Sequence, residues 1–184
     1  MPPLLGGANT GAVDEITIRP AEADDAEFLA DMLVEAANTP HHLDRSRAEA
    51  LADPTIARYI TGWPRSTDLG VVAERCGRSA GAAWLRYFTA ERPGCGFVRA
   101  DVPELVIGVL AAERGRGTGR ALLRALAATA GSCGAGQISL SVERAHPAVE
   151  LYRSEGCRVV EHRDHADTMV LDLREPGGRA VHSG

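Results

Sequence analysis

Residues 112–123, Ala-Glu-Arg-Gly-Arg-Gly-Thr-Gly-Arg-Ala-Leu-Leu, constrain this chain more than any other segment, because they stand between a buried strand and an amphipathic helix. Upstream, the run Glu104-Leu-Val-Ile-Gly-Val-Leu110 has the near-continuous apolar character of a strand covered on both faces. Downstream, Leu122, Leu123, Leu126, Ala127 and Ala130 recur at helical spacing, and Gly131 supplies a stop. Glycines at 115, 117 and 119 remove Cβ atoms from the turn, so backbone N–H groups can face inward, and the helix that follows offers its positive end to an anion. A diphosphate suits such a cradle. Arg114, Arg116 and Arg120 are placed either to contact phosphate oxygens or to hold the loop in shape. A tight turn with exposed arginines is the plain structural alternative. The glycines stand too close together for the dinucleotide pattern GxGxxG, and the Lys that a nucleoside-triphosphate loop requires is missing.

The remaining segments fall around this one in order. Residues 15–19 alternate with period two and meet Pro20, which predicts a first strand. Ala26, Leu29, Ala30, Leu33 and Val34 mark a helix over 23–37 behind Asp24 and Asp25. Residues 46–53 and 55–61 read as short helical pieces split by Pro54. Runs at 69–74 and 80–88 flank a turn at 75–78, which predicts an antiparallel hairpin. A strand at 137–142, a helix at 147–155 and strands at 158–161 and 168–173 complete the order. The expected organisation is a single domain over 14–173, between flexible tails at 1–13 and 174–184.

Composition narrows the function classes. A chain of 184 residues buries one sizeable core. No window approaches the roughly 18 uninterrupted apolar residues of a membrane helix, and the first residues lack the pattern of a secretory signal, so a cytoplasmic protein without a membrane partner is expected. With 25 acidic against 20 basic residues the net charge is −5, the wrong sign for a nucleic-acid binder. All of the basic residues are Arg, the bias of a GC-rich bacterial genome. Cys76, Cys95, Cys133 and Cys157 are scattered, which predicts free thiols. His41, His42, His162, His165 and His182 lack the spacing of a metal-ligand set, so no metal is expected.

At Arg114-Gly-Arg-Gly117-Thr-Gly119 the chain resembles the GNAT acetyltransferases, whose signature is Arg or Gln, two free residues, Gly, one free residue, then Gly or Ala. A second signature of that family, a strand followed by Asn-Pro-Ala, Leu-Tyr and Gly-Phe, is matched by Ser139-Leu-Ser-Val142 and then His146-Pro-Ala-Val-Glu-Leu-Tyr152-Arg-Ser-Glu-Gly156-Cys157. His146 stands for the usual Asn and Cys157 for the usual Phe. The resemblance runs from about Ile16 to Leu173. It implies an α/β (α+β) fold with a mixed, mostly antiparallel central sheet, splayed between the fourth and fifth strands and flanked by helices.

The resemblance also implies a chemistry. Acetyl-CoA would be the donor, its diphosphate on the loop formed by Arg114, Gly115, Arg116, Gly117, Thr118, Gly119 and Arg120, and its pantetheine beside backbone groups of Ile107, Gly108 and Val109, with His146 near the cofactor. A primary amine, on a small molecule or a peptide, would attack the thioester directly. Tyr152 would be the general acid for the departing thiolate, or else an ordinary packing tyrosine. Glu104 would be the general base acting through water, or else a solvated Glu at a strand end, with a water chain in its place. Ser141 stands where members that modify protein N-termini carry Glu. Residues 41–44 and 59–63, with Trp84 and Tyr87, are candidates for the acceptor pocket, and a homodimer is left open. A catalytically silent acyl-CoA sensor is the alternative. The acidic net charge favours a cationic or neutral acceptor.

Overall fold

The structure, a computed structural model, describes residues 15–38 and 45–173. The expected tails, residues 41–44 and His182 lie outside the described residues. Seven strands form one sheet in the order β1-β2-β3-β4-β5-β7-β6: β1 Ile16–Pro20, β2 Leu69–Arg75, β3 Arg78–Arg86, β4 Glu104–Val109, β5 Gln137–Glu143, β6 Arg158–His162 and β7 Ala166–Asp172. Every neighbouring pair is antiparallel except β4 and β5, which run parallel. The β2–β3 turn is closed by Cys76 at φ 51° and Gly77 at φ 72°, the left-handed pair a two-residue hairpin needs to match strand twist.

Helices cover both faces. Strand side chains alternate, so β2, β3 and β4 each supply two layers. On one face α4, Thr118–Ser132, lays Leu122, Leu123, Leu126 and Ala130 over Ala73, Ala83, Leu85, Leu105 and Leu140, and α5, Ala148–Ser154, adds Val149 and Tyr152 to the same cluster. On the other face α1, Ala26–Ala37, sets Leu29, Met32 and Leu33 against Val72, Ala82, Trp84 and Val106. The helix approaches β4 so closely that a Cβ on Gly108 would run into the Met32 carbonyl. Two short helices, α2 Arg47–Ala52 and α3 Pro54–Ala57, follow. Ser46 caps the first with a reciprocal bond to Glu49, and Asp53 caps the second.

The segment after α3 is fastened by two side chains of β3. Trp84, fully buried, donates Nε1 to the Tyr59 carbonyl at 2.8 Å. Arg86 pairs with Asp68 at 2.5 Å and donates Nη1 to the carbonyls of Arg58 at 2.9 Å and Thr61 at 3.0 Å. Both members of the Arg86–Asp68 pair are wholly shielded from solvent, which is tolerable because the guanidinium donors are spread over three acceptors.

Candidate active site

The parallel pair β4–β5 is joined at one register position, Glu104 opposite Ser139, with the Ser139 N–H on the Pro103 carbonyl at 3.0 Å. Beyond it the strands part. Which backbone groups face the opening follows from hydrogen-bond parity. The Leu110 N–H bonds the Ala80 carbonyl on β3 at 3.0 Å, so Gly108 and Val106, at even positions, also spend their backbone groups on β3. Ile107 and Val109 therefore turn theirs toward β5. Gly108 belongs to the same stretch but contributes closeness to α1, not an edge group.

The glycine-rich loop follows directly. Residues 111–113 make one turn of 3₁₀ helix, then Gly115 at φ 72° and Gly117 at φ 84° bring the chain into α4. The left-handed conformation at 117 is what demands glycine there. The first helical bond received from outside is Ala121 N–H to the Gly117 carbonyl, so the N–H groups of Thr118, Gly119 and Arg120 precede the helical ladder. Thr118 is buried and its Oγ1 has no partner among the described residues. The three loop arginines are engaged within the chain. Arg114 bonds the Val109 carbonyl at 3.1 Å and pairs with Glu35, Arg116 pairs with Glu113 at 3.1 Å, and Arg120 pairs with Glu155 at 3.1 Å. They hold the loop's shape.

Tyr152 and His146 flank the opening from the α5 side. The Tyr152 ring packs in the cluster that Ile107 and Val109 also touch. Its hydroxyl has no hydrogen-bond partner among the described residues, and burial, followed by the Cys157 thiol, pushes the phenol above its ordinary value. The shift favours the protonated phenol. His146 accepts the Ala148 N–H on Nδ1 at 3.0 Å, which leaves Nε2 to carry the proton of the neutral ring. Burial, then the nearby Arg114 charge, lowers its affinity for a second proton. Cys157 fills a buried position, and burial pushes its thiol up to about 11.

Glu104 lies on the opposite face, which it shares with Val106. It is 3 % exposed, not a solvated strand end. Its Oε1 accepts from the Tyr59 hydroxyl at 2.6 Å and from the Gly96 N–H at 2.7 Å, while Oε2 is enclosed without a partner. Ser139 Oγ, bridged in register to Glu104 and on the same face, is likewise enclosed and unpartnered. The roof is the β3–β4 connection. A Cβ on Gly94 would meet Glu104 Oε2, and one on Gly96 would meet the backbone of Leu140 and Ser141 on β5. Burial, the largest influence, raises the Glu104 carboxyl above its ordinary value against the two hydrogen bonds and the charges of Arg163 and Arg58.

Sequence reasoning proposed Tyr59 and Trp84 as pocket residues. The Tyr59 hydroxyl grips Glu104, and Trp84 is fully buried. The pair Gly94 and Gly96 flanking Cys95 was the signal for the roof, since two glycines that close suggest backbone packed on backbone. Among the described residues no three His, Cys, Asp or Glu side chains are gathered as a metal site, and no helix is long and apolar enough to cross a membrane.

A mostly antiparallel seven-stranded sheet, forked at its parallel pair beside a glycine-rich helix start, is the architecture of the GNAT class of acyltransferases. The chain belongs to the acetyltransferase (GNAT) family, whose model matches residues 30–156. Solved structures agree in fold. An N-acetyltransferase from Staphylococcus aureus Mu50 superposes with a TM-score of 0.63 at 18% identity, over 87% of this chain and 99% of that one. The ribosomal-protein-S18-alanine N-acetyltransferase of Escherichia coli gives 0.63 at 22%, over 89% and 97%. The protein yncA of Salmonella typhimurium, solved with its cofactor acetyl-CoA, gives 0.59 at 24%, over 90% and 98%. No curated protein matches the chain in sequence.

Proposed function

We propose that this chain transfers the acetyl group of acetyl-CoA to a primary amine by direct attack. The observation that carries the reading is the fork itself: the edge groups of Ile107 and the Val109 N–H, which β5 leaves unpaired, stand one short loop away from the free first-turn N–H groups of α4. Thioester and diphosphate are separated by a pantetheine arm, and edge and helix start supply a matching pair of sites, amide partners at one and an anion cradle at the other. The Thr118 hydroxyl adds an unspent donor beside the cradle. Acetyl-CoA supplies the activated acetyl group, and the residues do the rest. An edge N–H of β4 polarises the thioester carbonyl, as an oxyanion donor does.

Proton traffic is divided between the two faces. Tyr152, held protonated by burial, gives its proton to the departing thiolate. Glu104, whose raised proton affinity brings it nearer to working pH, accepts the proton of the incoming ammonium through water. Attack by the neutral amine then forms the C–N bond as the C–S bond breaks, and the second N–H proton that the new amide sheds replaces, through water, the one Tyr152 gave to the sulfur. We take the acceptor to be a cationic or neutral amine on a small molecule or a peptide, in keeping with the chain's net charge of −5, and Ser141 gives no support to the subtype that modifies protein N-termini. The reading places the enzyme in the cytoplasm, without metal, nucleic acid or membrane.

The test is release of CoA thiol from acetyl-CoA across a panel of primary amines. Turnover with at least one amine, faster than hydrolysis, is the expected result. A thermal shift with acetyl-CoA but no turnover on any amine would replace the enzyme by the silent sensor. Neither shift nor turnover would reject both.

A further inference from the structure

Glu104 is held in an unequal way, and one residue accounts for it. Its Oε1 takes two donors, the Tyr59 hydroxyl and the Gly96 N–H, and its Oε2 takes none. The direction of the Tyr59 bond is fixed by a third contact: the Tyr59 oxygen accepts the Cys95 N–H at 2.6 Å, so its own proton is left to point at Glu104. Donation thus runs from Cys95 through Tyr59 to Oε1, each bond polarising the next.

Tyr59 cannot drift out of this geometry. Its carbonyl is bound by Trp84 Nε1, the carbonyls of Arg58 and Thr61 on either side are bound by the buried Arg86, and its ring meets Phe88 edge-on at 5.0 Å between centroids. Three carbonyls in a span of four residues are therefore held by side chains of β3, the strand that also pairs with the Glu104 backbone.

We infer that Tyr59 is the positioning residue of the proton acceptor: together with the Gly96 N–H it saturates Oε1 of Glu104, and so assigns the transferred proton to Oε2. In the step served, an N–H bond of the acceptor ammonium breaks, the turn at Gly94 that encloses Oε2 gives way to a water, the proton passes through that water, and an O–H bond forms at Oε2. The amine keeps the electron pair and the carboxylate becomes a neutral acid. This inference rests on the reading of Glu104 as the base, though Tyr59's hold on the carboxyl can be measured apart from it.

The groups facing the carboxyl are Tyr59 and Arg58 from the segment after α3, Cys95 and Gly96 from the β3–β4 connection, Ser139 from β5, and Arg163 following β6. Among them the Tyr59 bond favours the ionised carboxylate, so its removal moves the Glu104 titration upward.

The experiment follows the carboxyl-carbon resonance of Glu104 against pH in protein labelled with ¹³C-glutamate, assigned with Glu104→Gln, and needs no acceptor. Tyr59→Phe keeps the ring and should move the titration up by about one pH unit. Protein made with 3-fluorotyrosine, whose more acidic phenol is a stronger donor, should move it down. Opposite shifts support the inference, and a titration unmoved in either folded protein overturns it. If Tyr59→Phe does not fold, the fluorotyrosine protein decides. With an active amine in hand, Tyr59→Phe should carry the acid limb of kcat/KM upward by the same amount. Should Glu104→Gln keep that limb, Glu104 is not the base and the catalytic inference falls with it; should Glu104→Gln lose the limb while Tyr59→Phe leaves it in place, the inference about Tyr59 fails alone.

Discussion

Arg114 closes the glycine-rich loop onto β4 by donating Nε to the Val109 carbonyl at 3.1 Å, the same edge carbonyl that β5 would take if the strands had not parted. A residue read from the sequence as either a phosphate contact or a support for the loop's shape is the clasp between loop and fork. Its second partner, Glu35 on α1, ties in the opposite face.

Arg114→Ala is expected to separate these roles from stability. The Arg114–Glu35 pair has 54% and 33% exposed side chains, and pairs of that kind contribute about 1 kcal/mol or less. Acetyl-CoA affinity should fall about tenfold, as expected for one charge-assisted contact together with a loosened loop. Calorimetric titration with acetyl-CoA, beside urea unfolding, checks both. Unchanged affinity would mean that Arg114 serves neither the cradle nor its shape.

Gly117→Asp should abolish the thermal shift given by acetyl-CoA. The substitution adds a side chain at φ 84°, costing on the order of 1 kcal/mol, and sets a negative charge at the helix start proposed to hold the diphosphate. Gly134→Asp, at φ 90° and equally open, is the control for the backbone cost. It should lower the melting temperature similarly and keep the shift. Loss of the shift in both variants would locate the cradle elsewhere.

His146 predicts a pH dependence of folding. Its affinity for a second proton is lowered in the fold, by burial first and Arg114 next, so the unfolded chain binds that proton more readily. The stability it contributes is therefore fully present above the ordinary His value of about 6.5 and is lost as pH falls through that value toward the lower one of the fold. His146→Asn keeps a cap acceptor for the Ala148 N–H and should flatten this part of the curve. Urea midpoints between pH 5 and pH 8 provide the measurement, and identical slopes for the two proteins would remove His146 from the account.

Tyr152→Phe should lower the single-turnover acetyl-transfer rate by about 10²–10⁴-fold with acetyl-CoA affinity nearly unchanged. The hydroxyl has no partner to lose among the described residues, so urea stability should move little. An unchanged rate in the folded variant would make Tyr152 a packing residue and favour the silent sensor.

The site was legible in the sequence in proportion to how local its causes are. The loop at 115–119 was readable because a strand-to-helix turn with free first-turn N–H groups is built from neighbours: three glycines, an apolar strand before them and a helical stripe after. Tyr152 and His146 were singled out through their motif; Tyr152 lies on α5, which has the predicted place, and His146 stands two residues before the helix begins. Glu104 was legible only as a carboxylate at a strand start. Its partner Tyr59 is 45 positions away and its roof belongs to a connection without regular structure, so nothing in the local pattern distinguished burial from solvation.

By itself, then, the sequence determined the elements, their order and the position of the glycine-rich helix start, because hydrophobic period, caps and glycines act over a few residues. Tertiary structure alone decided three things. Parity of the β3–β4 ladder chose Ile107 and Val109, and not Gly108, as the residues facing the fork. Packing of α1 made residue 108 a glycine for closeness to Met32. The meeting of Tyr59, Gly96 and Glu104 buried a strand-end carboxylate and bound it through Oε1 alone. Each depends on segments brought together across the sheet, and a hydrogen bond or a steric limit between distant residues leaves no period in the chain that carries them.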